Sequence, residues 1–571
     1  MDKHAIFLPA ARQIKRILLA SLFLIVAGCA GTGQERAPEN EAPGDDAAMH
    51  IATAERLADV GEYESALQEY LAAARASDDP EIARMVTRLA GRLQNWQVAA
   101  EAALRWLELD PEAATAHQLR IVALVNEGRQ EAAVEAVAGW LAADGRDLAD
   151  IEWRRAAALL AAASERESAR SVFDRLVERA GEDAPRDDVA HAESILLWQH
   201  GETAPARERA RDAVEAGGEV EHLVWAAQLA AEDEDLDSAL TLYRRARADR
   251  PDDVGLALSE AEVLRQLERD EEAISVLRAL EPDVDALYTL GIYLVQLDRS
   301  EEAEETWHRL VEVVDGDEPE QAFLAAQLAE LAGRDDDALE WYARVTSGPR
   351  LEQALLRRSV ILGRSQRVDE ARDLLERLRA DTGPEMQQET WLIEAEMLRS
   401  TGRADEAVAL LAEPLADNPG SMDLLYARAL SAATAGEIDL AEQDLRRLIQ
   451  MDPENAMALN ALGYTLADQT DRYQEAYRLI ERALELDPED PATLDSMGWV
   501  LYRLGRAEEA VEYLERALAG EENPEIMAHL VEVLHHLGRG EEAGDLAARG
   551  LEQYPESPYM LDTLERLDLE P

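Results

Sequence analysis

The side chains that could do chemistry are ten histidines, 119 acids and one cysteine, Cys29. None is spaced for catalysis. His535 and His536 are the closest histidine pair, but neighbours on a helix point about 100° apart and do not converge on a metal. The chain contains no His-Glu-x-x-His, no Gly-rich phosphate loop and no Gly-x-Ser-x-Gly elbow. The acidic runs Glu232–Asp235 and Asp335–Asp337 read as turns and helix starts, where acids complement the helix dipole. The expectation is a protein that is not an enzyme, with no cofactor and no metal.

Cys29 needs its own context. Lys3, Arg12, Lys15 and Arg16 precede an apolar run, Ile17 to Ala27. As a helix that run spans roughly 17 Å, too short for a ~30 Å hydrocarbon core, so it reads as a secretory signal. It ends Val26-Ala27-Gly28-Cys29, which resembles the lipobox of bacterial lipoproteins. The resemblance implies cleavage between Gly28 and Cys29 (residues 1–28 being removed), a diacylglycerol on the Cys29 sulfur and an acylated (palmitate-type) amino terminus. Several acyl chains hold a protein on a membrane without a spanning helix. Ala30, where lipoproteins kept at the inner membrane often carry Asp, implies the periplasmic face of the outer membrane. Residues 29–46 are rich in Gly, Pro and acid and read as the lipidated start of a flexible linker.

The composition is 47% hydrophobic but only 5% aromatic, with Ala and Leu dominating, which favours helix over sheet. The formal charge of −62 excludes nucleic acid as a partner, because phosphate backbones repel it. Both lysines lie in the first 16 residues. Removing residues 1–28 takes away one acid and four bases and leaves 118 acids against 53 arginines. Their mutual repulsion predicts a fold that is less stable at low salt. Melting at low and high ionic strength measures this, and an unchanged melting temperature contradicts it.

The elements that position everything else come from a repeat. An alanine recurs after a short turn at Ala66, Ala99, Ala133, Ala169, Ala206, Ala239, Ala273, Ala303, Ala338, Ala371, Ala407, Ala441, Ala476, Ala510 and Ala543. Ala66 to Ala543 is 477 residues in fourteen steps, about 34 each. Gly stands five residues earlier in eight copies: Gly61, Gly128, Gly201, Gly333, Gly402, Gly436, Gly505 and Gly538. The pattern resembles the tetratricopeptide repeat. That resemblance implies an all-α solenoid, a right-handed superhelix of about 15 helix-turn-helix units over residues 47–556, with residues 557–571 as a capping helix. Signature positions thin out near residues 81–111, 145–185 and 252–282.

In such a superhelix the first helix of each pair lines a concave groove that takes extended protein segments. The repeat geometry puts Asn460, Tyr464, Asp495, Trp499, Tyr502 and Arg503 at groove-facing places. Trp499 and Tyr502 combine apolar area with a polar edge, and Arg503 offers a forked donor, a composition suited to a binding hot spot. Residues Leu459 to Leu518 are similar to the last repeats of large Gram-negative tetratricopeptide lipoproteins. One of these is an adaptor that binds a periplasmic carboxyl-terminal processing protease and delivers peptidoglycan hydrolases to it. The resemblance implies protein partners of that kind. The alternative it leaves open is an assembly scaffold for outer-membrane machinery, namely a pilus secretin, exopolysaccharide export or β-barrel insertion.

Overall fold

A computed structural model describes residues 45–142, 147–280, 282–555, 557–567 and 569. The signal, Gly28, Cys29 and the linker up to residue 44 lie outside the described residues. Among the described residues there are 31 α-helices and no strand. The chain divides into two compact units, Met1–Arg250 and Pro251–Pro571. The first holds six helix pairs, from Asp45–Asp59 with Tyr63–Ala76 to Val220–Glu232 with Leu236–Asp249. The second holds nine, from Val254–Gln266 with Asp270–Arg278 to Pro524–His536 with Gly540–Gln553, followed by the single helix Pro558–Leu567. The chain is therefore an all-α helix-pair solenoid of fifteen copies. The three stretches with few signature residues each form a complete pair.

The recurring alanines explain the period. All fifteen are at most 3% exposed. Each sits one turn inside its second helix and donates its N–H to the residue that begins that helix, as Ala510 does to the Arg506 carbonyl at 3.0 Å. A larger side chain there would push the paired helices apart. Gly463 and Gly498 do the same from the first helix. A Cβ on Gly498 would lie 2.5 Å from Leu514 Cγ and 3.2 Å from the Ala510 carbonyl oxygen. Gly498→Val is expected to cost about 3 kcal/mol or more, by overpacking, read as a lowered urea midpoint.

The turn is a Schellman cap. Arg506 N–H donates to the Leu501 carbonyl at 2.9 Å, Gly505 N–H donates to Tyr502 at 2.9 Å, and Gly505 has φ of +78°. All eight glycines named above adopt this left-handed conformation. Five further copies place a non-glycine in it: Gln94, Glu234, Glu268, Asp298 and Gln366, with φ between 56° and 61°. These carry backbone strain. Glu268 is exposed and makes no ion pair among the described residues, so Glu268→Gly is expected to stabilise the second unit by roughly 0.5–1 kcal/mol. Gly505→Ala, with no neighbour to meet the added Cβ, is expected to destabilise it by about 1 kcal/mol. Thermal unfolding of both variants checks the pair of opposite signs.

Charge is managed at the same turns. Arginine begins the second helix in many copies and forks onto an acid three residues on. Arg506 reaches Glu509 at 2.6–2.7 Å, and Arg472 reaches Glu475 at 2.8–3.0 Å. Several also bridge to the preceding copy, as Arg472 does to Glu442 at 2.7 Å and Arg403 to Asp369 at 3.0 Å. These pairs are half-exposed, so each is weak; together they hold a ladder of acids in register.

Candidate protein-binding site

Three first helices carry the residues singled out from the sequence: Ala456–Gln469, Pro491–Arg503 and Pro524–His536. Side-chain caps fix their starts. Asn455 accepts from Ala458 N–H at 2.9 Å, Asp490 from Thr493 at 2.8 Å and Asn523 from Glu525 at 2.9 Å.

The middle helix of the three packs against both of the others. The Tyr464 hydroxyl donates to Glu525 Oε1 at 2.9 Å, joining two first helices with a third between them. Trp499 stacks on His529, with ring centroids 4.3 Å apart and planes at 20°. Tyr502 packs beside Trp499 at 5.5 Å and edge-on to His536 at 5.3 Å. His529 Nδ1 lies 2.9 and 3.0 Å from the two Asp495 carboxylate oxygens. Arg503 turns the other way. It donates to the Asp468 carbonyl at 3.2 Å and the Tyr473 hydroxyl at 2.7 Å, with its guanidinium 4.9 Å from the Tyr473 ring.

The expectation of an open, groove-facing Trp499 and Asp495 needs correction. Trp499 is 5% exposed and Asp495 6%. Every residue from Thr493 to Leu501 and from Ile526 to Leu534 is buried. The reason is packing between successive copies: His529 of the next first helix covers Trp499 and Asp495, and the terminal helix in turn covers that helix. Arg566 on the terminal helix pairs with Glu532 at 2.8 Å, and Met560 is wholly buried against Gly550. Trp499 and Asp495 thus belong to the packing between copies. Asn460, Tyr464, Tyr502 and Arg503 are half-buried at its margin. The Asn460 carbonyl oxygen and the Trp499 indole N–H are buried without a hydrogen-bond partner.

Sequence reasoning missed Glu525, His529 and Glu532, and weighed His536 only as a metal ligand. The signal was available: His529 and His536 stand one period, 34 residues, beyond Asp495 and Tyr502. Burial and then the Glu525 carboxylate raise the Tyr464 phenol. Burial and then Glu532 raise Tyr502. Burial alone would lower His529, but Asp495 beside it, joined by Glu525 and Asp468, outweighs burial and the net shift is upward. A raised folded value means that the stabilisation is complete below the unfolded imidazole's pKa and is lost as pH climbs through the folded one. The second unit is therefore expected to weaken on alkalinisation past neutrality, and Asp495→Asn to flatten that slope in melts at matched pH.

Among the described residues no group of three or more His, Cys, Asp or Glu is placed to hold a metal. No described helix is long and apolar enough to cross a membrane. The fold and this site define a class, the helix-pair repeat scaffold whose surfaces meet other proteins. Models of the tetratricopeptide repeat match residues 191–254, 226–285, 288–351, 356–421, 454–523 and 501–567. The chain belongs to the tetratricopeptide-repeat family.

A curated relative is the TPR repeat-containing protein PA4667 of Pseudomonas aeruginosa, 37% identical over 210 residues, covering 37% of this chain and 35% of that protein. The chain thus spans about a third of the length of the curated relative it matches. Among solved structures, TTC0263, a thermophilic TPR protein of Thermus thermophilus, is 28% identical over 32% of this chain and 96% of its own, with a TM-score of 0.29. The Cut9–Hcn1 hetero-tetramer of the APC/C is 16% identical over 86% of this chain and 96% of its own, with a TM-score of 0.32.

Proposed function

We propose that this protein is a scaffold tethered to the outer membrane through Cys29, which holds a periplasmic carboxyl-terminal processing protease and its peptidoglycan-hydrolase substrates at one place and so promotes proteolysis. The observation that carries the reading is the unbroken run of fifteen helix pairs in two compact units, which gives one chain room for two protein partners. Co-binding turns an encounter in free solution into one at an effective concentration set by the scaffold. The charge of −62 favours basic clients and speeds their capture. The lipobox-like Val26-Ala27-Gly28-Cys29 supports the membrane tether.

The test is affinity capture of the detergent-solubilised full chain followed by mass spectrometry. The expected result is a periplasmic protease together with at least one cell-wall hydrolase. Recovery of neither overturns the reading, and recovery of secretin or β-barrel assembly components instead favours an assembly scaffold. Cys29→Ala is expected to move the protein from the membrane to the soluble fraction.

A further inference from the structure

The turns of the first two copies carry apolar side chains that no described residue covers. Val60 is 73% exposed, Tyr63 59% and Leu93 48%. Tyr63 and Trp96 begin the second helices of their pairs, three residues before Ala66 and Ala99. Of the other thirteen copies only one has an aromatic there, Tyr473. Tyr473 shows the position when it is satisfied. Its hydroxyl donates to Asp471 at 3.1 Å and accepts from Arg503 at 2.7 Å, and the guanidinium covers its ring. Neither the Tyr63 hydroxyl nor the Trp96 N–H has a partner among the described residues.

Tyr63, Leu93 and Trp96 line one cleft of about 430 Å³. Glu62 and Glu64 flank Tyr63, and Asp59 ends the preceding helix; all three are exposed and make no ion pair among the described residues. A second cleft of the same unit, about 470 Å³, differs in kind. It is lined by Arg207 and Arg211 as well as Asp233, Asp235 and Asp237, and Arg207 pairs with Asp233. That site neutralises its own charge, whereas the first sets an apolar strip, Tyr63, Leu93 and Trp96, beside Gln94, Asn95 and Gln97, with Glu64 unpaired among the described residues and Glu127 paired with Arg129 at 3.5 Å.

We propose that this rim cleft docks an extended polypeptide segment of a partner protein, one with an aromatic or aliphatic anchor flanked by arginine or lysine. The anchor lies between Tyr63 and Leu93, where apolar surface is still in water. A backbone carbonyl of the segment accepts from the Trp96 N–H or the Tyr63 hydroxyl, and its cations face Asp59, Glu62 and Glu64. The cleft belongs to the first unit and Asn460 to Arg503 to the second, and the inference stands whether or not the protease reading does.

The test uses the full chain and fluorescein-labelled peptides, read by anisotropy at physiological ionic strength. The probe is Arg-Leu-Trp-Arg-Leu-Arg; the controls are Glu-Leu-Trp-Glu-Leu-Glu and Arg-Ser-Ser-Arg-Ser-Arg. The probe is expected to bind at least about tenfold tighter than either control, and Tyr63→Ser/Leu93→Ser to weaken it about tenfold. Leu486→Ser, also on an exposed apolar residue but in the other unit, leaves binding unchanged. Glu62→Gln/Glu64→Gln flattens the salt dependence and tests the same cleft should the first double variant fold poorly. Four outcomes overturn the proposal: no probe binding, equal binding of a control, binding indifferent to the cleft variants, or a dimer that Tyr63→Ser/Leu93→Ser converts to a monomer by light scattering, which would make a second copy of this chain the occupant.

Discussion

Replacing Arg428 with methionine is expected to lower the stability of the second unit by about 3–5 kcal/mol, the largest loss foreseen for any single polar substitution. Arg428 lies on the first helix Met422–Thr434 and Asp444 on its partner Ile438–Met451. The guanidinium fork meets the carboxylate side-on, Nε to Oδ2 at 2.7 Å and Nη2 to Oδ1 at 2.9 Å. Asp444 is 1% exposed, and Arg428 is the one cation paired with it among the described residues. Without Arg428 a carboxylate is stranded inside an apolar hairpin. Most of the loss is that stranded charge, so Arg428→Met/Asp444→Leu is expected to recover the greater part of it. The contrast within the same unit is Glu394, 3% exposed but held by both Arg372 at 2.9 Å and Arg379 at 2.6 Å. Arg372→Met leaves a cation in place and should cost less. Urea unfolding of the full chain, followed through the transition of the second unit, separates these cases. A loss under about 1 kcal/mol for Arg428→Met would show that water reaches Asp444.

The reason Arg428 could not be picked out beforehand says which physics a repeat sequence displays. Contact between the paired helices imposes one answer, a small side chain, at one place in every copy. The fifteen alanines and the left-handed glycines are therefore visible, and so are the helices they define. Polar partnerships have no such uniform answer. Asp444, Glu394 and Glu330 look like any other acid in a chain with 119 of them, yet each is buried because an arginine from a neighbouring helix meets it. Gln94, Glu234, Glu268, Asp298 and Gln366 occupy the glycine position with the same backbone, so strain rather than residue type marks those turns. Trp499 was legible as a special residue and not as an interior one. Its surroundings come from a first helix one period on, whose His529 stacks on its ring, and packing between copies is not encoded by residue type at one position.

Acidification is expected to unfold the first unit through His191. This imidazole is 3% exposed on the first helix Arg186–Gln199. Its ring lies 4.8 Å from that of His222 and edge-on to Trp225, and its Nδ1 has no hydrogen-bond partner. His222 accepts the Glu219 N–H on Nδ1 at 3.2 Å, so its proton sits on Nε2, 3.2 Å from Asp188. Burial is the main cause holding His191 down, followed by His222 and by Arg154, while Glu221 opposes them; the result is a pKa of about 3, against 6.5 for a solvated imidazole. A lowered folded value means that the neutral ring stabilises the fold fully above 6.5, and that the benefit drains away as pH falls from there toward 3. Two pH units below the solvated value the loss is roughly 2–3 kcal/mol, a large share of ordinary domain stability. His191→Phe keeps an aromatic ring and removes the titration, so it should unfold at nearly the same urea concentration as the parent at pH 7 and at a higher one at pH 4.5. Every other titrating group is common to the two proteins, and their difference isolates this one ring. Equal shifts in both would mean that His191 is already solvated in the folded state. His529 in the second unit carries the opposite sign, because Asp495 holds its proton, so the pH of greatest stability should lie higher for the first unit than for the second.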